Sequence, residues 1–454
     1  MANSYLNRNI TSNGNAKTWT WSYWVKRAKL GSWMNTHNLG GTANRDYGAF
    51  DSSNRLEFAH YNSGYQYRFL TNRVFRDVSA WYHIVIAMDT TQSTESNRTK
   101  IYVNGVQETS FNTATYPSQN QNTRGSQDKI MVGADFDPGN YFDGYQSHVA
   151  FVDGQALAPT VFGETDSTSG IWKFKSPSGV TWGTNGFHLK FENSGNLGLD
   201  SSGNSNTFTV NGNGRQALDT PSNVLNVLNS INPSASNFTL SNGNTTIYKS
   251  GTGQLGGFLG TIMPTTGKWY WEAKITEAAN GDRTRVGVAN YESVTGTSTI
   301  QGNYSGLEVS CKNAQLFVVT NGSTSETYAS GTYSDGDIVQ LAMDLDNKAI
   351  YVGRNGTYVT LTATSGGDPT SGANKTGAIV TDTTHILNGS PMCVYFGHYA
   401  GASDVSNVSF NFGNGYFGTT AITSAGSNGN GSLFEYDVPS GYYALNTKNI
   451  NTYG

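Results

Sequence analysis

Asp135, Asp137 and Asp143 fall close together in a stretch broken by Gly and Pro. Clustered carboxylates are hard oxygen ligands that suit Ca²⁺. Loop aspartates more often cap turns through nearby backbone N–H groups, so turn capping is the ordinary reading and a Ca²⁺ site the functional one. His83 stands close to Trp81, where an imidazole could act as a general base. No Ser or Cys accompanies it in a recognisable nucleophile motif, so a structural strand residue is expected. Glycosidic hydrolysis needs paired carboxylates flanking the scissile bond. No run such as Glu-x-Asp-x-x-Glu occurs, and Glu272 and Glu277 are too isolated to replace one. Ser176-Pro177-Ser178-Gly179-Val180-Thr181-Trp182 approaches a sialidase Asp-box, but Pro177 occupies the aspartate position. There is no Gly-rich phosphate loop, Cys/His zinc spacing or heptad run. The chemistry that remains is stacking. Trp33, Tyr61, Tyr65, Tyr304 and Tyr333 lie in loop-like stretches, where a ring can meet a sugar face or another subunit. These residues predict a binding protein with no catalytic residues and no required cofactor.

The elements that must position such groups are strands. Trp81-Tyr82-His83-Ile84-Val85-Ile86-Ala87-Met88-Asp89 is followed by a polar loop and by Lys100-Ile101-Tyr102-Val103-Asn104-Gly105. The same phrase returns as Gly336-Asp337-Ile338-Val339-Gln340-Leu341-Ala342-Met343-Asp344, then Ala349-Ile350-Tyr351-Val352, with Asn355-Gly356 beyond. Alternating apolar residues mark strands with one buried face. Asn-Gly supplies the positive-φ pair of a tight hairpin. Each copy therefore predicts two consecutive hairpins, and two copies predict two domains on related plans.

Composition agrees. The 454 residues are 13% charged, with 54 glycines and 12% aromatics. Average chains are about 25% charged and about 7% Gly. Disorder would strip out the aromatics. Short aromatic and β-branched runs between Gly, Asn, Ser and Thr predict an all-β protein with many turns. Net charge is −4 and no basic stripe is visible, which argues against nucleic acid. No run approaches the roughly 20 apolar residues of a membrane helix. The beginning lacks a basic segment followed by an apolar core, so no secretory signal is expected. Cys311 and Cys393 lie in strand-like runs and are expected as buried free thiols, with a disulfide as the alternative.

Along the chain, Trp19-Thr20-Trp21-Ser22-Tyr23-Trp24-Val25 places Trp19, Trp21, Tyr23 and Val25 on one face. Leu56–His60 and Tyr65–Phe69 form the next expected hairpin, across Asn62-Ser63-Gly64. Tyr141-Phe142-Asp143-Gly144-Tyr145, running on to Phe151, closes a first domain over 1–158. Residues 159–232 read as a connector whose strand pair, around Phe187–Phe191 and Thr207–Val210, packs on that domain. A second domain over 233–425 begins its regular pattern at Lys268-Trp269-Tyr270-Trp271-Glu272, with Trp269, Trp271, Ala273 and Ile275 on one face, and ends at Val408-Ser409-Phe410-Asn411-Phe412. Residues 426–454 form a tail segment.

The strand Trp-Thr-Trp-Ser-Tyr-Trp-Val, Trp-Tyr-His-Ile-Val, the Ile-Tyr-Val-Asn-Gly hairpin and Phe-Asp-Gly-Tyr resemble the laminin-G-like, concanavalin-type jelly-roll sandwich. Gly-Lys-Trp-Tyr-Trp-Glu, Val-Gly-Val-Ala, Gly-Asp-Ile-Val and Val-Ser-Phe-Asn-Phe-Gly resemble the SPRY (B30.2-type) sandwich, with departures in polar insertions such as 362–375. The resemblance implies two jelly-roll β-sandwiches. Laminin-G-like modules can hold Ca²⁺ in loops of the Asp135–Asp143 kind. The whole order, including the Asp200-Ser201-Ser202-Gly203-Asn204 connector, resembles structural and fibre-like proteins of marine tailed bacteriophages. That resemblance implies a non-enzymatic virion protein, a fibre, spike or decoration of capsid or tail, released by lysis. It implies a homo-oligomer, with a trimer favoured, contacts with other virion proteins, and host-surface glycans as a possible ligand class. The alternatives are a polysaccharide depolymerase, against which the missing paired carboxylates speak, and a secreted or cell-surface lectin, against which the missing signal speaks.

Overall fold

The alternating strand Thr18–Arg27 lies in the interior of a sheet, paired on one side with Gly144–Asp153 and on the other with Tyr82–Asp89. In a computed structural model, which describes residues 3–231, 238–249, 256–277, 284–294, 304–312, 315–329, 333–398 and 406–454, Trp19, Trp21, Tyr23 and Val25 all enter one core. Two units follow along the chain, Met1–Ser222 and Asn223–Gly454.

The first unit has an eight-stranded antiparallel sheet. Its order is Phe111–Thr115, Tyr65–Val74, Arg55–Asn62, Asn44–Phe50, Met34–Gly40, Lys129–Val132, Tyr5–Asn9 and Thr209–Asn211. The six-stranded sheet runs Phe187–Leu189, Gly144–Asp153, Thr18–Arg27, Tyr82–Asp89, Thr99–Val103 and Val106–Gln107. Phe58 and Phe69 from one sheet meet Trp19, Ile86 and Phe151 from the other in the shared core. The expected hairpin across Ser63-Gly64 is present, with Tyr61 paired to Tyr65. Asn104 and Gly105 have φ of 48° and 79° and connect Val103 to Val106 in a two-residue turn. Both positions need the left-handed region, which Asn tolerates and Gly adopts freely.

The second unit repeats the plan. Lys268–Glu277 lies in a sheet between Ser406–Asn411 and Ile338–Asp344, with Ala349–Arg354 and Thr357–Tyr358 continuing outward. The facing sheet contains Gly256–Leu259, Met392–His398, Thr284–Asn290, Gly306–Ser310, Gln315–Thr320 and Ser323–Ala329. Trp269, Trp271, Ala273 and Ile275 fill its core. Asn355 and Gly356, with φ of 47° and 88°, again make the two-residue turn. Cys311 and Cys393 are buried and free.

The unit boundary differs from the sequence reading. Residues 159–222 go with the first unit: Phe187–Leu189 pairs with Val149–Phe151, and Thr209–Asn211 pairs with Tyr5–Asn7. Residues 223–231 go with the second, where Leu225 bridges Asn446 and Leu228 bridges Gly260. The expected boundary between 232 and 233 lies outside the described residues. The tail is a working part of the second unit. Phe434, Val438, Tyr442 and Ala444 pack on Tyr270 and Tyr351, and Thr447–Tyr453 is an α-helix capped by the Asn446 side chain. Glu272 fixes this arrangement by accepting the N–H groups of Glu435 and Tyr436, each at 2.9 Å.

The end of the first unit is held by one buried ion pair. Lys26 Nζ lies 2.6 Å from Asp219 Oδ2, with both side chains almost fully buried, and Trp81 Nε1 donates to Asp219 Oδ1 at 2.8 Å. Removing one member of a buried pair strands the other charge, at a cost of about 3–5 kcal/mol. Asp219→Ala is therefore expected to destabilise the first unit by about that amount in urea unfolding, and a loss below about 1 kcal/mol would contradict this account.

Candidate functional site

The pleat of the eight-stranded sheet sends alternate residues outward. On that outward face the register sets Arg45 opposite Tyr61, Tyr47 opposite Ala59, and Ala49 opposite Glu57. Ala49 and Ala59 are small, and Tyr47 packs over them with Trp33 alongside, so the face is indented there. A cavity of about 310 Å³ results, walled by Trp33, Tyr47, Tyr61 and Tyr65 and edged by Asn35, Arg45, Asp135 and Asn140. Tyr61 and Tyr65 meet edge to face, centroids 5.7 Å apart, and remain 36% and 47% exposed. Trp33 stands 6.1 Å from Tyr47 and donates through Nε1 to Asn35 Oδ1 at 2.9 Å.

The charges here are compensated. The Arg45 guanidinium lies 5.5 Å from the Tyr61 centroid, with Nε 3.6 Å from Asp135 Oδ1. Arg68 lies over Tyr65 at 4.4 Å and donates to Glu57 Oε2 at 2.8 Å. Glu57 is fully buried and also accepts the Tyr47 hydroxyl at 2.7 Å. Burial and the neighbouring Glu57 carboxylate hold the Tyr47 phenol well above its ordinary range. A carboxylate so enclosed cannot reach a glycosidic bond. The arrangement offers aromatic faces and charge-compensated hydrogen-bonding edges, which suit stacking and polar recognition.

Trp33, Tyr61 and Tyr65 are thus brought together, as sequence alone did not foresee. Tyr304 and Tyr333 are not available and are withdrawn as stacking candidates. Tyr304 is fully buried against Tyr395, with its hydroxyl donating to Glu308, and Tyr333 is 2% exposed in the second unit's core. Arg45, Tyr47, Asn35 and Asn140 were missed; the alternation Arg45, Tyr47, Ala49 was the available signal for the first two.

The three loop aspartates separate by role. Asp135 joins the aromatic cavity and accepts from Asn38 Nδ2 at 2.9 Å and from the Phe136 N–H at 2.7 Å. Asp137 accepts a long contact from Thr42 Oγ1, 3.4 Å. Asp143 is buried, and burial raises its carboxyl to about 6 although Lys29 opposes the shift. Among the described residues no three Asp, Glu, His or Cys side chains form a group suited to a metal ion.

His83 does have a serine neighbour, on the outward face of the six-stranded sheet. Its Nε2 lies 2.9 Å from Ser22 Oγ. Trp172 Nε1–H donates to His83 Nδ1 at 3.0 Å. An indole N–H can only donate, so Nδ1 is the acceptor and the ring proton sits on Nε2, facing Ser22. The imidazole therefore donates to the serine and cannot act as its base. The histidines on this surface are covered by rings of the segment after Ala158: Trp172 stacks on His83, Phe174 on His148 at 3.5 Å, and Trp182 on His188. Burial, aided by neighbouring His or Lys charge, lowers His83 and His148 to about 3 and His188 to about 4.

Residues 2–161 match the family described as the Concanavalin A-like lectin/glucanases superfamily, and residues 268–369 match the SPRY domain family. No curated protein matches the chain. Among solved structures, the SPRY domain of human HERC1 is 15% identical, over 39% of this chain and 94% of its own, with a TM-score of 0.29. Domains LG4-5 of the mouse laminin alpha1 chain are 10% identical, over 90% of this chain and 85% of their own, also with a TM-score of 0.29. A heptameric SAP-like pentraxin from Limulus polyphemus is 13% identical, over 34% of this chain and 71% of its own, with a TM-score of 0.26. The family matches give an all-β chain with a laminin-G-like, concanavalin-type domain followed by a SPRY domain, the order expected from sequence.

Two outcomes follow from this geometry. The unfolded histidines bind protons near pH 6.5 while the folded ones stay neutral to about 3–4, so stability falls as pH drops through that window. Lowering the pH to 5 should cost up to about 2 kcal/mol per ring, read as a lower urea midpoint, and His188→Gln should flatten the profile. A midpoint unchanged between pH 7 and 5 would contradict the stacked neutral layer. Millimolar Ca²⁺ is expected to leave the melting temperature unchanged, because Asp135, Asp137 and Asp143 serve separate roles; a rise of several degrees would restore the calcium reading.

Proposed function

We propose that the protein is a non-enzymatic adhesion protein that binds a neutral surface glycan on the outward face formed by Trp33, Tyr47, Tyr61 and Tyr65. The observation that carries this reading is the convergence of Trp33, Tyr61 and Tyr65 on one cavity with charge-compensated edges. A sugar presents an apolar C–H face to an aromatic ring and hydroxyls to the side, and Asn35, Asn140 and Arg45 stand where hydroxyls would be met. A neutral ligand suits this site because Arg45 and Arg68 already have carboxylate partners. The concanavalin-type and SPRY matches support a binding role. The sequence resemblance to phage fibre-like proteins supports placing that role on a tailed-phage virion, as a fibre, spike or decoration. In that setting the protein is a homo-oligomer, with a trimer expected, and docks on other virion proteins.

The test is adsorption of fluorescently labelled full-length protein to candidate host cells, with free surface polysaccharide as competitor. Saturable, competable binding is expected. Trp33→Ala and Tyr65→Ala should each weaken it about 10-fold or more, equivalent to about 1.4 kcal/mol. Binding unaffected by both variants would refute the site. Release of reducing sugar would instead establish the depolymerase alternative.

A further inference from the structure

A second cavity of the first unit, about 380 Å³, shares no lining residue with the aromatic face. Its apolar wall includes Leu6, Val132, Phe142, Phe191, Leu197 and Leu218. The segment leading to Asp219 closes one side, held by the buried Lys26–Asp219 pair. The charges on the lining are unequal. Lys190 lies 3.8 Å from Glu192, whose side chain is 71% exposed. Arg215 is exposed, donates to the Gly214 carbonyl at 3.3 Å, and has no ion pair among the described residues. Asp219 is already committed to Lys26. Lys190 and Glu192 offset each other, so Arg215 is left as the uncompensated cation of the lining among the described residues.

The backbone of this wall is also unusual. Most non-glycine residues with positive φ among the described residues are Asn, which tolerates that region. Phe191, with φ of 62°, is an aromatic exception, and it lines this cavity. Phe191 is pinned by Gln216 Nε2, which donates to its carbonyl at 2.7 Å. Backbone held in a disfavoured region collects at ligand sites, where the surrounding structure maintains it. A half-apolar concavity of this size with a few polar groups has the usual form of a small-molecule site.

We propose that this cavity binds a small amphipathic anion: a compact apolar body of about fifteen heavy atoms at interior packing density, with one carboxylate or sulfonate met by Lys190 and Arg215. The apolar body buries against Leu6, Phe142 and Leu218, and the anion restores charge balance at the lining.

The probes are 1-anilinonaphthalene-8-sulfonate and its uncharged relative N-phenyl-1-naphthylamine, titrated into the native full-length protein. One equivalent of the sulfonate should bind saturably, and more tightly than the uncharged amine. Leu218→Trp, which fills the cavity, should weaken both probes at least 10-fold. Arg215→Glu, at an exposed position, should weaken the sulfonate about 5-fold or more and leave the amine unchanged. Trp33→Ala should change neither. Three results would each overturn the proposal: no saturable one-equivalent binding, sulfonate binding indifferent to Arg215→Glu, or loss of binding in Trp33→Ala. If Leu218→Trp does not fold, the Arg215→Glu comparison decides alone.

Discussion

A β-strand can bury only one of its two faces against the opposing sheet, and in the first unit the site follows from that division. Along Asn44–Phe50 the inward positions are taken by Phe50 and by Asp46, which accepts the Tyr67 hydroxyl at 2.6 Å. Arg45, Tyr47 and Ala49 must then face outward. The neighbouring strand is fixed in the same way by Phe58, which leaves Ala59 and Tyr61 on the outward side. A one-residue slip would send the tyrosines inward and Phe50 to the surface. The aromatic cavity is therefore tied to the register of the core.

The two outward faces of the first sandwich meet this constraint differently. One remains open, and the cations at its aromatic cavity, Arg45 and Arg68, each have a carboxylate partner. On the other, the histidines are kept neutral beneath aromatic rings. Charge is compensated or suppressed on both, in keeping with a chain that is only 13% charged. A compensated, ring-lined face has little long-range attraction for ions and depends on shape, stacking and hydrogen bonds. That is the chemistry of neutral polyhydroxylated ligands.

The sandwiches were legible because alternation and turn chemistry are local. Trp19 to Val25, Trp269 to Ile275 and both Asn-Gly turns appear where their patterns predict. The unit boundary was less legible, because the strand pairs made by Phe187–Leu189 and by Leu225 and Leu228 are very short and depend on distant partners. The site was half legible. Trp33, Tyr61 and Tyr65 stand near turns and do reach the surface. Tyr304 and Tyr333 have the same polar neighbours in sequence, yet fold under other groups. Local composition cannot distinguish a ring beside a sheet edge from a ring crossing beneath one. The Ser22–His83 contact was invisible for the same reason, since it depends on the pairing of Trp24 with His83.

The most direct measurement is a crystal structure of the full chain soaked with the oligosaccharide that competes best for cell binding. The account predicts an intact, uncleaved sugar with one ring stacked on Trp33 or Tyr65 and its hydroxyls directed at Asn35, Arg45 or Asn140. A sugar bound elsewhere while this face stays open, or a cleaved product in its place, would contradict it.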